Sequence, residues 1–221
     1  MSEPLFAPPA PPWSTTVAES AKEHLLGAVY VDTIAELTAI FQPETQVCVH
    51  PRPRLPEIEG YLADPALGSW RGLRQVATRR AERDWRPAGL PLPPAQGREA
   101  LARDLLFLME LYADLLGCPR LGLRLESLDR AMCPGWHRDR TGIRLLCTYR
   151  GPGTEWLGNS HQDLERLNAP DRKEATGRAK AFDIVLLKGT LWQGNGDRGA
   201  IHRSPEPDGA RRVLFALDAL W

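Results

Sequence analysis

Leu121-Gly122-Leu123-Arg124-Leu125-Glu126 alternates apolar and polar residues one by one, the period of a half-buried strand. From Arg120 onward the chain keeps this character. Ile143 to Tyr149, Phe182 to Leu187 and Arg212 to Leu217 are short apolar runs suited to buried strands. Turn-rich pieces separate them: Gly151-Pro152-Gly153, Gly194-Asn195-Gly196-Asp197 and Pro205-Glu206-Pro207-Asp208-Gly209. Only Gln162 to Leu167 reads as helical between them. Strands at this spacing, without helical crossovers, predict an antiparallel sandwich or barrel.

Upstream, the pattern is helical. Between Gly97 and Gly117, Leu101, Leu105, Leu108, Tyr112 and Leu115 recur at intervals of four and three, one apolar stripe widened by Leu111. Gly117 suits the residue after a helix end, and the Tyr112 hydroxyl needs a partner. Asp32 to Phe41 reads as another helix start, and Gln46 to His50 as a short strand stopped by Pro51. Phe6 to Trp13, rich in proline, reads as an extended tail. The arginines between Arg71 and Arg86 read as a solvated helix or loop surface, with a nucleic-acid- or phosphate-binding face as the alternative. The expected class is α+β, with residues 1–119 a tail and helical support and residues 120–221 a β core, together one compact domain.

Composition narrows the partners. The chain of 221 residues has 28 basic and 28 acidic side chains, so no net field draws it to nucleic acid or an anionic membrane. No apolar run approaches the ~20 residues of a membrane span, and Met1-Ser2-Glu3-Pro4 does not read as a signal peptide. A cytoplasmic protein is expected. Cys48, Cys118, Cys133 and Cys147 contain no Cys-x-x-Cys and read as free thiols. Cys133, four residues before His137, is a candidate to line a site. Composition is silent on oligomeric state.

His137-Arg138-Asp139 and the distant His202 carry the chemistry. In extended backbone, residues i and i+2 point the same way, so His137 and Asp139 can reach one metal. Two imidazoles and one carboxylate form the 2-His-1-carboxylate facial set that leaves positions open on a non-heme Fe(II). A hydrogen-bonded polar network without metal is the simpler alternative for a lone His-x-Asp. An arginine soon after the second histidine, Arg211 or Arg212, can hold a dicarboxylate. Strand alternation lets only one of that pair face inward. His24, His50 and His161 read as outlying residues, and Gly194-Asn195-Gly196 is no phosphate loop because no Gly-Lys-Ser/Thr follows.

Three segments, Cys133 to Asp139, Leu145 to Leu157, and Phe182 through His202 to Arg211, resemble in order the Fe(II)- and 2-oxoglutarate-dependent dioxygenases, over roughly residues 120 to 221. As a whole the chain resembles a bacterial family of unknown function. The dioxygenase resemblance implies a double-stranded β-helix (jelly-roll, cupin-like) core. It also implies Fe(II) on His137, Asp139 and His202, with 2-oxoglutarate and O2 as co-substrates. The substrate hydroxylated would be a small molecule or a protein side chain. The superfamily's Gly-x-Arg pattern makes Arg211 the co-substrate arginine, with Arg212 pointing to the opposite face. Thr148 and Tyr149 become candidates for co-substrate or substrate contact, with sheet packing as their alternative role. Trp136 is a candidate pocket wall, while Trp156 and Trp192 read as core. Two rivals stay open: a cupin-type zinc- or iron-binding protein without oxygenase turnover, with Cys133 or Cys147 as an extra ligand, and a cupin-type metal-dependent isomerase.

Overall fold

The computed structural model describes residues 28–158, 174–209 and 211–221. His24, His161, the helix-like stretch 162–167 and the proline-rich start lie outside them. Strands β1 (Ala28–Tyr30) and β2 (Val47–His50) pair in parallel. Between them a 3-10 helix, Ile34–Phe41, begins in a capping box, the Glu36 carboxylate accepting from the backbone of Asp32 and Thr33. Helix α1 (Pro56–Ala63) opens on a proline, whose missing N–H is not needed at a helix start. The hairpin β3 (Gly72–Ala81) and β4 (Asp84–Arg86), helix α2 (Arg98–Leu116), β5 (Arg120–Leu128) and β6 (Ile143–Arg150) follow. Then come β7 (Glu155–Trp156), β8 (Gly177–Arg178), β9 (Ile184–Lys188), β10 (His202–Arg203) and β11 (Arg212–Ala219).

The strands form two sheets. Eight run in the order β1-β2-β9-β6-β11-β5-β3-β4, and three in the order β10-β7-β8. Alternation along the central strands divides the interior. Leu121, Leu123 and Leu125 of β5, Leu145 and Cys147 of β6, and Val213, Phe215 and Leu217 of β11 face the helices. There Leu101, Leu105, Leu108, Met109 and Tyr112 of α2 cover them. The opposite face presents Leu146, Leu214 and Ala216 to Trp156, Ala179 and Ala200. The helix stripe is therefore buried as its spacing predicts. At about 25 cal/mol per Å² of apolar surface, such a stripe contributes several kcal/mol. Gly117, in the left-handed conformation at φ 63°, ends α2. The Tyr112 hydroxyl finds its partners, donating to the carbonyl of Ile143 and accepting from Ala219 N–H.

The first half differs from its sequence reading. Four strands that precede residue 120 join the same eight-stranded sheet as the later ones; β2 falls where Gln46 to His50 read as a strand, whereas β1, β3 and β4 were not expected. The arginine-rich stretch is neither helix nor loop but the hairpin β3–β4 at the sheet edge. Its arginines find acids across the surface. Arg79 meets Glu110 at 2.7 Å and Asp114 at 2.6 Å on α2. Charged side chains on an edge strand also discourage further strand pairing. Among the described residues no helix is long and apolar enough to cross a membrane.

Candidate metal centre

The segment around His137 and β10 form a short antiparallel bridge. His137 N–H donates to the carbonyl of His202 at 3.1 Å, and His202 N–H returns the bond at 3.0 Å. Residues paired in this way project from the same face, and the two imidazole centroids lie 4.4 Å apart. Asp139, two residues on, returns to that face. Its backbone is held by a second staple: Thr190 N–H donates to the Asp139 carbonyl at 3.0 Å, and Leu191 N–H to that of Thr141 at 3.0 Å. Glycine at 189 permits this approach, because a Cβ there would stand 2.2 Å from the Thr141 carbonyl oxygen.

Each ring is oriented by its own backbone. His137 Nδ1 lies 3.0 Å from the carbonyl of Gly135, and His202 Nδ1 lies 3.0 Å from that of Ala200. A carbonyl only accepts, so Nδ1 carries the proton and Nε2 is left with its lone pair. The Nε2 atom of His137 stands 3.7 Å from Asp139 Oδ1, and that of His202 stands 3.4 Å from Oδ2. One ligand atom from each of the three residues lies within 4.8 Å of the others. Cis ligands ~2.1 Å from a metal are about 3 Å apart, so a small closure of the three would seat one. Charge states suit the task. Burial tends to raise the Asp139 pKa, but its close contacts with His202, Arg144 and His137 outweigh it and hold it at about 2. Burial, then the His202 charge, lowers that of His137, favouring the neutral imidazole a metal needs.

The sequence left Arg211 or Arg212 open and the resemblance favoured Arg211; the structure turns Arg212 inward. Arg212, Leu214 and Ala216 share the face between the sheets, and Arg212 is 1% exposed. Its guanidinium donates to the Pro152 carbonyl at 2.9 Å, Ser204 Oγ at 3.2 Å, Thr154 Oγ1 at 3.0 Å and Thr148 Oγ1 at 3.3 Å. None of these partners is anionic. Burial alone pulls its pKa down to about 10, which leaves it charged at neutral pH. Ser204 is two residues beyond His202, so the segment that carries this imidazole also reaches the arginine. Arg211 is half-exposed, hydrogen-bonded to the Gly68 carbonyl, and lines a surface cleft of about 430 Å³ with Trp70 and Ser127.

Of the two neighbours on β6, Thr148 lies beside Arg212, whereas Tyr149 turns to the helical side. Its hydroxyl donates to Asp104 at 2.5 Å and its ring meets Phe182 edge-on at 5.4 Å, so it packs rather than faces the site. Cys147 is buried on that same side, with its thiol pushed up to about 12 by burial, and Cys133 is exposed. Neither belongs to the converging set. Trp136 stacks under Arg203, whose Cζ is 4.2 Å from the ring centroid. Trp156 is core, and Trp192 stacks on Phe41. His50 closes β2 with Nδ1 3.1 Å from the Val31 carbonyl.

Sequence reasoning missed a row of charge beside the triad. Arg144 of β6 hydrogen-bonds Asp139 Oδ2 and grips Asp218 of β11. Arg144, Leu146 and Thr148 alternate on the strand face that Arg212, Leu214, Ala216 and Asp218 share on its neighbour, and only the register of the two strands brings Arg144 to Asp218.

Among solved structures, the chain is similar to the dioxygenase for auxin oxidation in rice, at 15% identity and TM-score 0.46, covering 88% of this chain and 86% of that one. It is similar to dioxygenase for auxin oxidation 1 from Arabidopsis thaliana in its 2-oxoglutarate complex, at 11% identity and TM-score 0.46, covering 88% and 92%. A third likeness is to a bsmA homolog from Methylobium petroleophilum, at 14% identity and TM-score 0.45, covering 86% and 93%. No curated protein sequence matches the chain. Residues 31–218 match the family described as protein of unknown function (DUF1826), and the chain belongs to that family.

Proposed function

We propose that the protein is a non-heme Fe(II)- and 2-oxoglutarate-dependent oxygenase built on a double-stranded β-helix, with His137, Asp139 and His202 as metal ligands and Arg212 as the co-substrate arginine. The observation that carries this reading is the pairing of a His-Asp-His set with a buried arginine that, among the described residues, has no acid beside it. Burying a guanidinium without a counter-charge is costly. Here it is solvated by one carbonyl and three hydroxyls and kept ready for an anion. A planar guanidinium suits a carboxylate, and Thr148, Thr154 and Ser204 add hydroxyls around it.

The residues fit the metal: both imidazoles present Nε2, and Asp139 is ionised. When bound, Fe(II) supplies O2 activation coupled to oxidative decarboxylation of the keto acid. The chain's own work is to hold the co-substrate's far carboxylate on Arg212 and to fix both rings through Gly135 and Ala200. Leu146, Leu214, Ala216 and Trp156 form an apolar cluster on the sheet face that carries Arg212, which would keep water from a bound co-substrate. The substrate is a small molecule or a protein side chain. A metal store or isomerase without a keto-acid co-substrate needs no buried arginine of this kind.

Turnover tests the reading. Fe(II)-loaded protein should convert 2-oxoglutarate to succinate in an O2-dependent manner, slowly without substrate, and His202→Ala should not. O2-independent or absent conversion by metal-loaded protein favours the non-oxidative rivals.

A further inference from the structure

Asp139 meets a second set of charges that metal ligation does not itself require. Arg144 Nη1 hydrogen-bonds its Oδ2. The same guanidinium holds Asp218 with two bonds, Nε to Oδ1 at 2.7 Å and Nη2 to Oδ2 at 3.1 Å. Arg124 of β5 adds a fourth charge, Nη2 to Asp218 Oδ2 at 3.2 Å. The row reads acid, base, acid, base across the segment before β6, then β6, β11 and β5. The strand register builds it: Asp218 stands directly opposite Arg144, and Arg124 opposite Ala216 on the same face.

The geometry gives Arg144 little freedom. A guanidinium is a rigid fork, and two of its three nitrogens are committed to Asp218. The third is thereby fixed in place against Asp139 Oδ2. Oδ1 of Asp139 accepts no hydrogen bond from the described residues. We infer that Arg144, anchored by Asp218, is a positioning residue that occupies one oxygen of Asp139 and so makes it a one-oxygen donor to the metal. This rests on the function proposed above. A carboxylate that donates through one oxygen leaves more positions open, which keto-acid and O2 binding both need. Hydrogen-bond partners of metal ligands typically change affinity about 10–100-fold. Lysine keeps the charge of Arg144 but not its planar fork, so Arg144→Lys separates the fork from the charge.

Co(II) titration of the full-length protein, followed by its visible d–d bands, tests this. Arg144→Lys should bind Co(II) about 10–100-fold more weakly than wild type, with altered bands that report a changed ligand arrangement. Asp218→Asn, which keeps Arg144 but removes its anchor, should shift both readouts the same way. It decides the matter if Arg144→Lys does not fold. Wild-type affinity and bands in Arg144→Lys, with binding lost in His202→Ala, overturn the positioning role and leave the metal site standing. The positioning role also falls if Asp218→Asn alone folds and behaves as wild type. Absence of Co(II) binding in the wild type overturns both readings together.

Discussion

Arg212, the first residue of β11, and Arg211 just before it should respond very differently to one conservative change. Arg212 is buried among Pro152, Thr148, Thr154 and Ser204, while Arg211 reaches outward to the Gly68 carbonyl. Replacing Arg212 by lysine keeps the charge and removes the fork. The loss is then at least one charge-assisted hydrogen bond to the co-substrate carboxylate. Such bonds are worth about 1.5–3 kcal/mol, so 2-oxoglutarate affinity should fall about 10–150-fold. Arg211→Lys should stay within about twofold, since a surface hydrogen bond contributes little to a site on the other face of the sheet. Calorimetric titration of Mn(II)-loaded protein under nitrogen measures both, with melting temperatures recorded to exclude unfolding. Metal affinity should be unchanged in either variant. Loss of 2-oxoglutarate binding in Arg211→Lys but not in Arg212→Lys would refute the assignment of the inward arginine.

Packing and charge set three further outcomes. His137→Ala and His202→Ala should each abolish tight divalent-metal binding while circular dichroism stays native; full metal occupancy in either would remove that histidine from the site. Leu108→Asp places a carboxylate in the fully buried interface of α2 with the sheet and should yield insoluble or unfolded protein; a soluble variant of unchanged melting temperature would show that the stripe does not need its apolar cover. Lys188 is buried, and burial with help from the Arg198 charge pushes its pKa down to about 8 from 10.5. The unfolded chain therefore holds this proton more tightly than the folded one, so Lys188 should contribute a rise in stability between about pH 8 and 10.5. Lys188→Met should flatten that rise in denaturant melts; an identical pH profile would place the ammonium in water.

Elements with strong periodicity were legible in the sequence. The α2 stripe and the central strands β5, β6, β9 and β11 follow from spacing alone, because each buries a full face. Of the strands before residue 120, β2 was legible as Gln46 to His50, and the others were harder to see. β1 has three residues, and the alternation of β3 is hidden by arginines that find acids on α2 and β5. Pairing partners distant in sequence create such strands, and a local window does not contain them. The convergence of His137, Asp139 and His202 was legible because i and i+2 share a face and His202 is a strand length from a turn. Which arginine turns inward was not. Inward direction on β11 is set by its register with β5 and β6, and its pairing with β6 carries an irregularity between Val213 and Leu214. The charge row through Arg144 and Asp218 was invisible for the same reason, since it joins three strands.

The proposed function requires a metal held through three side chains and a keto acid bound beside it. Anaerobic addition of Fe(II) and then 2-oxoglutarate, followed by visible absorption, tests both halves at once. A metal-to-ligand charge-transfer band should appear only when both are present, vanish in His202→Ala, and in Arg212→Lys require far more 2-oxoglutarate to reach the same intensity. Tight Fe(II) binding by the wild type with no such band at saturating 2-oxoglutarate would contradict this function and leave a metal-binding protein without keto-acid chemistry.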